Sequence, residues 1–153
     1  MPSTLQEFLA NATQTGADDI VAGFLRLPEE KRAWTPADTA RSAVDQIAEC
    51  ALNNGYVADL IATGVWSAPA RDVYGQQKRE LAAGDWESLR ALLAANTERL
   101  AAVIRAATDD SLDEILTTPY GPDKRSKIMA YPWWNMSYHV GQINYLATIL
   151  GCY

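Results

Sequence analysis

Apolar residues recur at three- and four-residue spacings in four long stretches, a pattern that predicts four amphipathic helices. In the first, Leu5, Phe8, Leu9, Ala12, Ile20, Phe24 and Leu27 carry the stripe from Thr4 to Leu27, with Ser3 as N-cap and Glu7 in the first turn. Gly16 and Gly23 weaken that helix by ~1 kcal/mol each against alanine. Leu27-Pro28-Glu29-Glu30-Lys31 then breaks it. The second helix is expected to open at Thr35-Pro36-Ala37-Asp38. There threonine caps, proline has no N–H to leave unpaired, and an acid meets the positive helix end. It runs to Ala62 and stops at Gly64. Val65 to Gly84 reads as a long connection with a short helix from Gln76 to Ala82. Asp85 caps the third helix, which extends to Ala107 on a stripe of Leu89, Leu92, Leu93, Leu100, Val103 and Ile104. Thr108-Asp109-Asp110 ends it, and Ser111 to Leu116 forms one short turn. Thr117-Thr118-Pro119-Tyr120-Gly121-Pro122 cannot be helical, and Lys127-Ile128-Met129 reads as extended chain. The last helix starts at Tyr131-Pro132 and ends at Gly151. Four such helices with nothing else to pack against predict an all-α fold. The expected architecture is a four-helix bundle with long crossover connections, a single domain over residues 1–153.

Composition adds exclusions. A chain of 153 residues, 48% hydrophobic and 21% charged, can bury a core and is not expected to be disordered. Its net charge of −6 and the lack of any basic run argue against nucleic acid as a partner. No window reaches the ~20 apolar residues of a membrane span. Met1-Pro2-Ser3-Thr4 does not begin a signal peptide, so a cytoplasmic protein is expected. Cys50 and Cys152 give neither a disulfide framework nor metal-knuckle spacing. Two reduced thiols, with Cys50 packed in the core, is the favoured reading over a catalytic Cys50.

Candidate chemistry sits on two polar stripes. Ser42, Gln46, Glu49 and Asn53 fall on one face of the second helix, beside an apolar stripe of Ala43, Val44, Ile47, Ala51 and Ala58. Such a stripe either faces water or lines a site. On the last helix Asn135, His139 and Gln142 share a face within an almost wholly apolar segment, so they are expected to point inward and to need partners. His139 is the one histidine of the chain. Alone it reads as a hydrogen-bonded core residue; a second polar stripe to face it favours a site.

Tyr138-His139-Val140-Gly141-Gln142-Ile143, followed by an aliphatic run ending in glycine, resembles the final helix of the DinB superfamily. Ser42-Ala43-Val44-Asp45-Gln46-Ile47-Ala48-Glu49 after Trp34-Thr35-Pro36, the Asp85-Trp86 opening of the third helix and the overall length extend the likeness to essentially the whole chain. The resemblance implies a four-helix bundle, often a homodimer. It also implies three histidines holding zinc or nickel, one from the second helix and two, four residues apart, from the last. Some members are metal-dependent thiol transferases or isomerases. Matched residue by residue, the implied metal set is Glu49, Asn135 and His139, so one of three imidazoles remains. Asn135 offers only a neutral carbonyl oxygen, which predicts a weak or absent metal site.

Two functions follow as expectations. One is a DinB-like metal-dependent transferase or hydrolase acting on a small molecule, with Glu49 and His139 as catalytic residues and Asn135, Gln142, Gln46, Asn53 and Trp134 binding the ligand. The other is a non-catalytic small-ligand-binding or dimeric structural bundle with a decayed metal site. Without metal, Glu49 and His139 could form a buried charge-assisted pair, structural or acid–base in role. Pro132-Trp133-Trp134 and Tyr120-Gly121-Pro122 are candidates for the mouth of the site, and Arg71, Tyr74 and Lys78 could reach an anionic substrate.

Overall fold

The computed structural model of the protein describes residues 4–153. Its elements are α1 (Leu5–Arg26), α2 (Ala43–Thr63), α3 (Arg71–Ala83), α4 (Trp86–Ala106), strands β1 (Ile115–Thr118) and β2 (Gly121–Lys124), and α5 (Arg125–Ile149). Four long helices make the bundle. α1 packs on α4 and α5, α2 packs on the same two helices, and α1 and α2 barely touch. Consecutive α1 and α2 therefore lie diagonally, which requires crossover connections rather than tight hairpins. The segment 64–85 joins the neighbouring α2 and α4 and contains α3, which packs on α2.

The core fills two adjoining regions. Phe24, Ile47, Leu89 and Ile143 lie in one, and Leu9, Leu60, Leu100 and Met129 in the other. At Gly55 α4 lies close against α2: a Cβ there would lie 2.8 Å from Asn96 Nδ2. Gly64 ends α2 at φ +75°, a left-handed conformation that glycine adopts without strain. Among the described residues, no helix is long and apolar enough to cross a membrane.

The helix starts differ from the sequence reading in instructive ways. The proposed Ser3 cap lies outside the described residues; Thr4 caps α1, its side chain accepting a hydrogen bond from Glu7 N at 3.2 Å. Thr35-Pro36 does not open α2. Its cap is Ser42, whose Oγ accepts from Asp45 N at 3.3 Å. Residues 35–39 are exposed and have no apolar face to bury, and a short helix without tertiary packing does not hold in water. The connecting helix begins at Arg71 rather than at Gln76.

The Pro119-Tyr120 turn joins two paired strands, with Ile115 opposite Lys124 and Thr118 opposite Gly121. Lys127-Ile128-Met129 is helix, not extended chain, because α5 begins six residues before Tyr131 and carries Pro132 inside it. An interior proline costs about 3 kcal/mol. Burial of Ile128 and Met129, each worth roughly 1.5–3 kcal/mol, offsets that cost. Arg125 anchors the first turn, donating to the Ile61 carbonyl and pairing with Glu114 Oε2 at 2.6 Å.

Candidate functional site

Helical periodicity places Gln46, Glu49 and Asn53 on one face of α2 and Asn135, His139 and Gln142 on one face of α5, and Gln46 and Glu49 meet His139 across the two helices. His139 is 2% exposed. Its Nε2 lies 3.2 Å from Glu49 Oε1, while Nδ1 faces Oε1 of Gln46 at 3.0 Å and of Gln142 at 2.7 Å. An amide can present oxygen or nitrogen, so the two glutamines can serve Nδ1 in either tautomer.

Glu49 is the hinge of a larger charge network. Its Oε2 stands 2.7 Å from Arg41 Nη1 and 3.9 Å from Lys78 Nζ. Arg41, just before the Ser42 cap, folds along the first turns of α2: its Nε reaches Asp45 Oδ2 at 2.5 Å. Lys78 comes from α3 and meets Asp45 Oδ1 at 3.2 Å. Burial opposes ionisation of Glu49. The hydrogen bond to His139 and the charges of Arg41, His139 and Lys78 outweigh it and hold the carboxyl below its ordinary range. Cys50 beside it is fully buried, and burial pushes its thiol well up, so it is not a nucleophile at neutral pH.

The remaining expected residues divide. Asn53 Oδ1 accepts from the Tyr74 hydroxyl at 3.1 Å. Asn135 is buried but directs its Nδ2 to Cys50 Sγ at 3.7 Å, a weak contact. Trp134 is turned outward: it is 58% exposed, stacks on Tyr138 and packs against Tyr131. Ser42 serves as the α2 cap. Arg41 and Asp45 were missed by the sequence reading. Their signal is the spacing Arg41, Asp45, Glu49, which puts a cation and two acids on one helical face.

A cavity of about 840 Å³ opens beside this centre, between α2, α3, the β1–β2 hairpin and the first turns of α5, with Glu49 at its wall. Arg71, Tyr74 and Lys78 line it, as do Pro119 and Tyr120 of the hairpin turn, whereas Pro132, Trp133 and Trp134 do not. His139 is not among the residues that line it.

The metal set implied by the family resemblance is a poor fit to these residues. Among the described residues no three histidine, cysteine or acidic side chains converge on a common point. The one carboxylate available already neutralises Arg41 and sits near Lys78, so a divalent ion would meet two resident cations. Asn135 can offer a metal only a neutral amide oxygen, a weak ligand for zinc or nickel. One imidazole and one shared carboxylate do not hold zinc or nickel tightly.

Three solved structures have the same overall fold. The mycothiol-dependent maleylpyruvate isomerase superposes with a TM-score of 0.77 at 12% identity, and a mutant of it does so at 14%. Each match covers 92% of this chain but only 63% of that one, so the present chain spans less than two thirds of the isomerase. A protein from Streptococcus pneumoniae matches with a TM-score of 0.65 at 13% identity, over 95% of this chain and 93% of that one. No curated protein matches. The DinB superfamily model matches residues 12–143, which takes in the whole of α2 and α4 and both polar stripes, and the chain belongs to that superfamily.

Proposed function

We propose that the protein binds a small molecule in the cavity beside α3 and the hairpin, and that it does so without a divalent metal. The observation that carries this reading is the 2.7 Å contact between Arg41 Nη1 and Glu49 Oε2. A guanidinium already stands on the carboxylate that the family resemblance assigns to a metal, so the inner wall is charge-balanced by protein groups alone. The isomerase of similar fold is mycothiol-dependent and acts on maleylpyruvate, which fits a small molecule as the occupant of such a bundle.

A transferase or hydrolase reading would make Glu49 the proton acceptor. Interactions that depress its pKa make it a weak base at neutral pH, and His139 is buried and does not line the cavity. Binding rather than turnover is the reading this geometry favours.

The test has two arms. Protein purified without a metal column should carry no stoichiometric zinc or nickel by elemental analysis. Small molecules that raise Tm should do so equally with and without chelator. Stoichiometric metal in the wild type, or ligand shifts that vanish with chelator, would overturn the proposal. Arg41→Met combined with Asn135→His removes the competing cation and adds an imidazole one turn from His139; that variant should gain zinc affinity by calorimetry.

The outer face of α5 supports a homodimer as part of the same reading. Trp134, Tyr138 and Tyr145 are 58%, 54% and 67% exposed along one side of the helix. Aromatic residues are enriched at interfaces. Sedimentation at low micromolar concentration should give a dimer, and Trp134→Glu with Tyr145→Glu should give a monomer.

A further inference from the structure

We infer that the ligand of this cavity is an amphipathic organic anion, a carboxylate or similar acceptor-rich head on an aromatic or aliphatic body. This rests on the cavity being a ligand site, as proposed above, and adds the chemical class. It follows from which hydrogen-bonding capacity the lining side chains have already used and which they have not.

The acids of the cavity wall are engaged. Glu49 is shared between His139 and Arg41. Asp123 pairs with Lys127 Nζ at 2.6 Å and accepts from Lys124 N at 3.0 Å. Asn53 Oδ1 is taken by the Tyr74 hydroxyl, and Thr118 Oγ1 both donates to Gly121 O and accepts from Tyr120 N.

What remains among these side chains is mostly donor. The Asn53 Nδ2 group, the Trp66 indole N–H, the Tyr131 hydroxyl and the Arg71 guanidinium all belong to lining residues, and none has a hydrogen-bond partner among the described residues. Burial pushes Tyr131 up to about 12, so its hydroxyl keeps its proton at neutral pH. An indole N–H and a guanidinium can only donate.

Charge points the same way. Lys78 and Lys127 are balanced by carboxylates, but Arg71 has no ion-pair partner among the described residues. The cavity thus presents one uncompensated cation in a chain of net charge −6. A neutral or cationic ligand would leave that guanidinium and its neighbouring donors to water alone.

Apolar surface forms the rest of the wall. Val57, Leu60 and Ile128 are buried residues of the core that also border the cavity, and Trp66 and Tyr131 offer ring faces. A small inorganic anion would leave this surface uncovered, whereas an organic acid would cover it and meet the donors together.

Calorimetric titration of the full chain with two matched pairs tests the inference: 2-naphthylacetate against 2-naphthylacetamide, and octanoate against octanamide. Each pair differs in charge and little in shape. At least one acid should bind about tenfold or more tightly than its amide. Arg71→Gln, a change at an exposed position, should weaken the acid by a similar factor and leave the amide unchanged. Added salt should weaken the acid selectively. Equal binding of acid and amide overturns the anion inference, and an acid preference that survives Arg71→Gln overturns selection of the anion by this cavity's free cation; in both cases the cavity can remain a ligand site. No binding by any of the four at millimolar concentration overturns both.

Discussion

Glu49 Oε1 and His139 Nε2 stand 3.2 Å apart although their residues are 90 positions apart in the chain. The contact ties α2 to α5 inside the bundle, and it does so between groups that are costly to bury singly. Arg41 and the two glutamines complete the coordination of both partners. The pair is therefore a structural fastening, and its Glu49 also lines the cavity.

A double-mutant cycle measures that fastening. His139→Ala removes a side chain that is 2% exposed and takes away the Nε2 partner of Glu49. A hydrogen bond to a charged group is worth about 1.5–3 kcal/mol, and the vacated volume adds to the loss. Urea denaturation should show a loss of about 2–4 kcal/mol for His139→Ala. Glu49→Gln alone should cost less, because its amide still fills the space. The two losses should fall short of additive by about 1 kcal/mol or more, as expected for groups in contact. Additive losses would mean that the contact contributes nothing to stability.

Acid should loosen the same fastening. The Glu49 carboxyl ionises below its ordinary value of 4.5 in the folded chain. The unfolded chain therefore takes up a proton first as pH falls. The stabilisation is present in full above pH 4.5 and is lost as pH drops through the lower folded value. Between pH 6 and pH 3 the urea midpoint of the wild type should fall more steeply than that of Glu49→Gln. Parallel curves would show that the carboxyl is not held down by its neighbours.

The legible parts of this chain are those where a single local signal agrees with the packing. The Asp85 cap reads directly, and its side chain accepts from Ser88 N at 2.8 Å. The Gly64 stop of α2 reads equally well. Thr35-Pro36-Ala37-Asp38 carries a stronger local start signal than Ser42, yet it stays outside the helix because no apolar face follows it. Pro132 misleads in the opposite direction: burial of Ile128 and Met129 carries α5 back to Arg125 in spite of the lost hydrogen bond. At the site, the facing of Glu49 and His139 follows from periodicity on two helices. The role of Lys78 depends on how α3 is laid against α2, and the cavity depends on the hairpin; neither is written in any local pattern. Trp134 shows the limit of reasoning by proximity in sequence, since it directly precedes the buried Asn135 and is itself 58% exposed.

The close approach of α2 to α4 makes one substitution depend in sign on another. Alanine is favoured over glycine in a helix by ~1 kcal/mol, so Gly55→Ala on an isolated α2 would stabilise it. In the folded chain the new Cβ would come within 2.8 Å of Asn96 Nδ2, the group that donates to Ala51 O at 2.8 Å. Asn96 must turn aside and lose that bond, worth about 1 kcal/mol, and the crowding costs about 1 kcal/mol or more besides. Gly55→Ala should therefore destabilise the wild type by about 1 kcal/mol in urea denaturation. In an Asn96→Ala background the obstacle and the bond are both gone, and the same change should stabilise by a few tenths to ~1 kcal/mol. A gain from Gly55→Ala in the wild type, or a loss in the Asn96→Ala background, would mean that the two helices are not held at the distance set by Asn96.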